Sequence, residues 1–261
     1  MQNDVVIRFE HVRKAFGRQQ IFLDLSLDVR RGEIIALIGG SGCGKSVLLK
    51  MILGLLRWDA GAVYVDGEDI TGRDEREMPP VRRKVGMVFQ NGALFDSLDV
   101  FDNIAYPLRE RGIHDRAKLS ARVEEVLDMV GLPGIQAKMP AELSGGMRKR
   151  VSLARAVAEV PQVVLYDEPT TGLDPINVRR ISELILDLRK KLDTTSVVVT
   201  HDLASAFMVS DRMAMIAQGR IVAVDVTERF RSIPNPIVQE FLTAMELNSS
   251  ARARARADEA P

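Results

Sequence analysis

The run Gly39-Gly40-Ser41-Gly42-Cys43-Gly44-Lys45-Ser46 combines the groups needed to hold a phosphate chain. It fits the pattern G-x-x-x-x-G-K-[ST] and lies between an apolar run, Glu33–Ile38, and a helical stretch predicted over Ser46–Leu56. The glycines let the backbone bend around an anion with successive N–H groups turned inward. The helix that follows adds the positive end of its dipole. Lys45 can then reach the outer phosphates, and the Ser46 hydroxyl can sit on Mg2+. Cys43 reads as a small filler of the loop, with a thiol made reactive by the nearby helix start as the other reading. The expectation is a nucleoside triphosphate site.

Two further segments bear on that site. Val163-Val164-Leu165-Tyr166 is an apolar strand that ends in Asp167-Glu168. Such a strand delivers Asp167 to the carboxyl edge of a sheet, where α/β proteins collect ligands and where it can hold Mg2+. Glu168, one residue on, could polarise an attacking water. Acidic residues also simply terminate strands, and alone the pair would not decide. Leu143-Ser144-Gly145-Gly146-Met147 opens a predicted helix with small residues, which expose N–H groups to an anion. An ordinary N-cap serine is the plainer account.

The elements that must carry these residues are legible in outline. Val5–Phe9 and Leu23–Val29 read as short strands, and Ala62–Val65 with Asp66-Gly67 reads as a hairpin. Buried strands are predicted at Glu33–Ile38, Lys84–Phe89, Val163–Tyr166 and Ser196–Thr200, with a hairpin of Arg212–Ala217 and Ile221–Val224. Helices are predicted around Leu119–Val130, from Ser144 to about Glu159, around Ile181–Leu192 and at Asp202–Ser210. This alternation predicts an α/β fold with a parallel core and an antiparallel strand group near the N-terminus. The stretch from about residue 92 to 160 reads as an inserted helical subdomain. Past Glu246 the chain turns to Asn-Ser-Ser and then Ala-Arg repeats, so residues 247–261 are expected to form a disordered tail. There Arg252, Arg254 and Arg256 are either merely solvated or in touch with lipid headgroups or a neighbouring subunit.

Composition narrows the partners. The 261 residues are 46% hydrophobic and 28% charged, ordinary for a globular domain. Lysine plus arginine equals aspartate plus glutamate at 36 each, which disfavours a nucleic-acid clamp. No apolar stretch has the length of a membrane span, and Met1–Asp4 lacks the features of a signal peptide. One cysteine excludes an internal disulfide and fits a reducing compartment.

The order of motifs is phosphate loop, Gln90 after a strand, Leu-Ser-Gly-Gly, apolar strand with Asp167-Glu168, Gly172-Leu173-Asp174-Pro175, and His201 after a strand. This order resembles the ATP-binding subunits of ABC transporters over about residues 5–245. The resemblance implies a P-loop NTPase of the ABC ATPase type, with a mixed core sheet, an N-terminal antiparallel β subdomain and an inserted helical subdomain. It implies ATP and Mg2+ as ligands and a head-to-tail homodimer that sandwiches two nucleotides. By motif match, Phe16 is similar to the aromatic that stacks on adenine. Gln90 resembles the glutamine sensing both Mg2+ and the membrane partner. Ser144, Gly145 and Gly146 resemble the signature that meets the γ-phosphate held by the opposite subunit. Asp174 is similar to the residue coupling the two sites, and His201 to the switch histidine on the γ-phosphate. Two positions depart from the pattern: Met147 stands where the signature usually has glutamine, and Val47 where a threonine often follows the serine.

The stretch from Phe89 to Glu110, taken with Leu-Ser-Gly-Gly-Met, is similar to the ATPases of Mla/MCE-type phospholipid transport systems. That second resemblance implies a peripheral place on the cytoplasmic face of the inner membrane, beneath a multipass permease. A periplasmic MCE lipid-binding protein and a STAS-domain subunit would complete the assembly. Ala93, Leu94, Phe95, Leu98 and Phe101 could form the apolar face that receives the permease, or be subdomain core. Amino-acid importer ATPases share part of this stretch, so a small-solute importer is the alternative. A non-transport ABC ATPase and a small-molecule kinase are further readings. The first usually carries coiled-coil insertions or two cassettes, and the second needs no Leu-Ser-Gly-Gly.

Overall fold

The computed structural model describes residues 5–258, with side chains described from Val5 to Leu247. Among the described residues ten strands form two sheets: β1 (Val5–Phe16), β2 (Gln19–Arg30), β3 (Ile34–Ile38), β4 (Ala60–Val65), β5 (Glu68–Asp69), β6 (Val85–Val88), β7 (Val163–Asp167), β8 (Thr195–Val199), β9 (Arg212–Ala217) and β10 (Arg220–Val226). The helices are α1 (Lys45–Ile52), α2 (Pro79–Arg82), α3 (Val100–Glu110), α4 (Arg116–Met129), α5 (Gly145–Val157), α6 (Pro175–Leu192), α7 (Leu203–Val209), α8 (Thr227–Phe230) and α9 (Pro236–Asp258).

The smaller sheet has the order β2-β1-β4-β5 and is antiparallel throughout. The larger has the order β10-β9-β3-β8-β7-β6, parallel except for the β9–β10 edge. The expected mixed core with an N-terminal antiparallel group is therefore present. A backbone bond from the Leu23 N–H to the Gly219 carbonyl (2.9 Å) ties the two sheets together.

Composition explains the core strands. Every residue of β3, Ile-Ile-Ala-Leu-Ile, is buried, as a strand covered on both faces requires. One face packs with α1 and the small sheet, through Leu37, Leu48, Leu49, Phe9 and Leu165. The other face packs with α3 to α6, through Ile34, Val88, Tyr166, Val123, Val151 and Ile185. The helical stretch near residues 92–160 thus shares an apolar cluster with the sheet.

Several boundaries differ from expectation. β1 and β2 run on to Phe16 and from Gln19 as one long hairpin, because register shifts between Phe9 and Val12 absorb the polar, twisted end. α1 stops at Ile52, where Gly54 at φ 63° turns the chain and donates to the Met51 carbonyl. α3 was not resolved as a separate helix in the residue pattern, and Pro107 within it obscures the period. α9 runs as helix to Asp258, over part of the stretch 247–261 for which a disordered tail is expected. Its Ala-Arg run contains no breaker and both residues favour helix. The side chains of Arg252, Arg254 and Arg256, residues 1–4 and residues 259–261 lie outside those described.

Leu165 is fully buried in the middle of β7. Leu165→Ala should cost about 2–5 kcal/mol of stability, the range for a buried leucine that leaves a cavity. Equilibrium urea unfolding checks this, and a loss well below ~1 kcal/mol would mean the sheet core is looser than described.

Candidate nucleotide site

Strand register brings the chemistry together. Leu37 pairs with Val199, and Val199 pairs with Asp167, so β3, β8 and β7 end side by side. Val88 pairs with Tyr166, which aligns β6 with the same edge. The chain segments leaving these ends are the phosphate loop, Thr200-His201, Asp167-Glu168 and Phe89-Gln90. Four separated motifs thus meet at one carboxyl edge, the usual ligand site of such sheets.

A cleft of about 1480 Å3 opens there, lined among others by Gly39, Gly40, Ser41, Gly42, Gly44, Lys45, Ser46, Val47, Gln90, Glu168 and His201. The loop needs its glycines for steric reasons. Gly39 has φ 151°, and a Cβ on it would lie 2.4 Å from the Ile216 carbonyl oxygen. Gly44 caps α1 at φ 102°, and a Cβ there would lie 2.6 Å from both Ile21 and Phe22 side-chain carbons. Lys45 is buried and its Nζ donates to the carbonyls of Gly39 (2.9 Å) and Gly40 (3.0 Å). The loop thereby folds around its own ammonium, in a position from which phosphate oxygens could replace the carbonyls. Cys43 packs partly against the core, with Sγ 3.8 Å from Lys45 Nζ.

The Ser46 hydroxyl donates to Asp167 Oδ1 at 2.9 Å. These two hard oxygen donors at the edge of the cleft suit Mg2+, which prefers one or two protein oxygens supplemented by phosphate and water. Among the described residues no three His, Cys, Asp or Glu side chains gather into a metal-holding cluster, so a protein-only cage is not what the site offers. Burial pushes the Asp167 carboxyl above its ordinary value, and the Ser46 hydrogen bond only partly opposes this.

Glu168 has a left-handed backbone at φ 51°, unusual for a residue with a Cβ. Its Oε2 lies 2.7 Å from His201 Nδ1 and accepts from the Thr171 hydroxyl (3.0 Å) and the His201 backbone N–H (3.3 Å). Strain of this kind costs about 1–3 kcal/mol. Hydrogen bonds to a charged, largely buried carboxylate contribute about 1.5–3 kcal/mol each, so the contacts can hold the strained form. Glu168 and His201 therefore face one another across the mouth of the phosphate loop.

Other expected site residues lie elsewhere on the subunit. Ser144 is exposed at the start of α5, where its hydroxyl accepts from the Met147 N–H at 3.3 Å, and neither it nor Gly145 or Gly146 lines the cleft. Asp174 caps α6, accepting from the Asn177 N–H (3.0 Å) and side-chain amide (2.5 Å), and those bonds hold its carboxyl below the ordinary value. Asn177 also lies against Gly146, since a Cβ on that glycine would come 3.3 Å from its Oδ1. The two motifs thus form one exposed patch. Phe16 ends β1, is 47% exposed outside the cleft lining, and carries the Lys14 ammonium 5.0 Å from its ring centroid.

The apolar stretch after Gln90 divides. Phe101 is core, whereas Phe95 is exposed and packs beside exposed Tyr106 with ring centroids 4.9 Å apart. Leu94 is partly buried against the core of the helical region. Sequence reasoning missed three residues that fix this region. Fully buried Asn103 accepts from the Phe95 N–H, and its Nδ2 lies 3.1, 2.9 and 3.0 Å from the carbonyls of Phe95, Leu98 and Asp99. Arg155 donates to the Gly92 and Ala93 carbonyls at 3.0 and 2.8 Å. Lys149 is buried behind Gln90 and Glu168. Lys149 and Arg155 are polar side chains on a predicted helix, and Asn103 lies in a stretch with no predicted element, so nothing in the pattern signals their burial.

A phosphate loop, a carboxylate pair at the sheet edge and an exposed serine–glycine helix start define a P-loop ATPase. The profile of the ABC transporter family matches residues 22–171. The probable ribonucleotide transport ATP-binding protein mkl of Mycobacterium leprae is 40% identical over 95% of this chain and 71% of its own length. The intermembrane phospholipid transport system ATP-binding protein MlaF of Escherichia coli K12 is 41% identical over 87% of this chain and 84% of its own. The methionine import ATP-binding protein MetN of Carboxydothermus hydrogenoformans is 42% identical over 89% of this chain and 70% of its own. A dimeric ATP-binding cassette in a post-hydrolysis state, bound to ADP and Pi, superimposes with TM-score 0.78 at 31% identity, covering 85% of this chain and 98% of that one. The chain belongs to the ABC transporter family and is an ATP-binding, ATP-hydrolysing subunit of such a transporter.

The raised pKa of Asp167 has a consequence for stability. A carboxyl raised by folding favours the folded state in its protonated form, and that contribution is lost as pH rises through the raised value. Asp167→Asn, neutral throughout, should therefore melt higher than wild type at neutral pH without nucleotide, with the advantage shrinking as pH falls. Differential scanning fluorimetry across pH reads this. An unchanged or lower Tm at neutral pH would mean that the carboxylate is better solvated or paired than its surroundings indicate.

Proposed function

We propose that two copies of this chain pair head to tail and close two ATP sites, and that closure drives transport of phospholipid through a multipass permease. The observation that carries the dimer is the position of exposed Ser144 and Gly145 and half-buried Gly146 at the start of α5, absent from the cleft that holds Lys45 and Glu168. A helix start of this kind is a ready anion site without an anion of its own. The similar dimeric cassette bound to ADP and Pi supports supplying it from the partner.

In this reading the loop N–H groups from Gly39 to Gly44 and the Lys45 ammonium bind the β- and γ-phosphates, and Phe16 stacks on adenine. Ser46 and Asp167 hold Mg2+, with Gln90 completing its surroundings. Bound there, Mg2+ neutralises charge on the phosphates. Glu168 orients and deprotonates the attacking water, and His201 contacts the γ-phosphate once it leaves Glu168. Asp174, joined through Asn177 to the start of α5, relates the two sites. Phosphoryl transfer depends mainly on positioning and charge neutralisation, so a site split between two chains makes hydrolysis conditional on closure.

The exposed Phe95–Tyr106 pair, next to the segment carrying Gln90, is the surface we assign to the permease. Docking there places this subunit on the cytoplasmic face of the inner membrane. In this reading attachment runs through the permease; among the described residues no helix is long and apolar enough to cross a membrane. The phospholipid reading is supported by the Phe89–Glu110 stretch, by Met147 after the signature glycines, and by the coverage of 84% of the MlaF sequence. A periplasmic MCE protein and a STAS-domain subunit would complete such a system. A small-solute importer is the second reading, favoured by the 42% identity to the methionine import protein.

Glu168→Gln should retain ATP binding, lose about 10²–10⁴-fold in turnover, and accumulate as dimers with ATP on size-exclusion chromatography. Turnover at the wild-type rate would remove Glu168 from the water-activating role. Purification of the chain from membranes should bring down a multipass protein together with phospholipid, identified by mass spectrometry. Recovery of an amino-acid-binding protein would transfer the assignment to solute import.

A further inference from the structure

Lys149 sits on α5, five residues beyond Ser144, and is only 8% exposed. Its Nζ donates to the backbone carbonyl of Gln90 and lies 3.5 Å from the carbonyl oxygen of Glu168. Its hydrogen-bond partners are thus neutral carbonyls, whereas the carboxylates of Glu168 and Asp167 act on it through space. Burial pulls this ammonium below its usual pKa, with the two carboxylates opposing the change.

Burying a lysine whose partners are carbonyls is an expensive way to fill space. A methionine of similar length would pack there without the desolvation. The value of the charge therefore lies in what it holds. Its two carbonyls follow β6 and β7, which are neighbours in register, and each belongs to a residue that lines the cleft. The Glu168 peptide needs such support because its backbone is left-handed. Six residues further along α5, Arg155 holds the carbonyls of Gly92 and Ala93. The segment 90–93 is consequently fastened to α5 at two points, and Lys149 extends that fastening to Glu168.

We propose that Lys149 is a positioning residue for ATP hydrolysis, holding the Gln90 and Glu168 backbones in one fixed relation so that the loop after β6 and the Glu168 carboxylate are set together. This rests on Glu168 being the water-activating group. Lys149 does not line the cleft. It lies behind the reacting groups, so its removal should misplace Glu168 while leaving the phosphate loop intact.

The test uses the full chain with Mg-ATP and reads kcat, KM and Tm for K149M and K149R. K149M should lower kcat at least about tenfold with KM held within about threefold, the signature of an interaction needed in the transition state. Its Tm should match or exceed that of wild type. K149R, which keeps charge and donors, should recover a substantial part of kcat. The proposal is overturned if K149M turns over within about twofold of wild type, if KM rises in step with the loss of kcat, or if K149R is as slow as K149M. If K149M fails to fold, K149Q is judged by the same criteria, and failure of both to fold assigns Lys149 a structural role instead. Glu168→Gln measured alongside separates the two ideas. Wild-type turnover in that variant defeats the base assignment, whereas an inactive Glu168→Gln with a fully active K149M defeats only the role of Lys149.

Discussion

The side-by-side termination of β3, β8 and β7 is the constraint on which the site depends. Register places Leu37, Val199 and Asp167 in one row, so loops distant in sequence emerge within reach of a single ligand. In a sheet buried on both faces, a slip in register would break backbone bonds and misplace apolar side chains at once. The hydrophobic core therefore fixes the distance between Ser46 and Asp167 as firmly as their own hydrogen bond does.

Charged groups brought to such an edge are removed from water before any ligand arrives, and the subunit meets that cost internally. Lys45 turns to its own loop carbonyls, Ser46 to Asp167, and His201 to Glu168. Each of these contacts joins groups that nucleotide binding would ask to separate. The charged groups at this edge are thus satisfied within the subunit, and in the proposed mechanism ATP would compete with these hydrogen bonds. That competition gives the ligand differential affinity for an altered arrangement, without which no conformational change could follow from binding.

Much of this was legible in the residue pattern because the motifs act through backbone geometry. The phosphate loop, the apolar strand before Asp167 and the helix start at Ser144 depend on glycine, β-branched and small residues whose conformational preferences are local. The mixed sheet followed from buried strands alternating with helices. What stayed hidden was tertiary. Lys149 and Arg155 look like the solvated face of a helix until the segment after Gln90 is laid against them. Phe95 and Phe101 are the same residue type six positions apart, yet one is 43% exposed and the other 6%. Polar composition alone predicts a disordered tail after Glu246, whereas alanine and arginine both extend a helix already begun, and α9 runs to Asp258.

Asn103 carries a consequence of another kind. Its amide gathers the backbone of Phe95, Leu98 and Asp99 into one closed set of bonds from within α3. The path of this surface loop is thereby stored in a single interior side chain and in main-chain atoms that every amino acid possesses. Asp96 and Ser97, both exposed on the outside of that loop, are free of the task. Substitutions there can alter what the loop recognises while its trace stays the same. If the loop meets the permease as proposed, such a scaffold would let one ATPase frame be fitted to different membrane companions over evolutionary time, by changes confined to a few outward-facing positions.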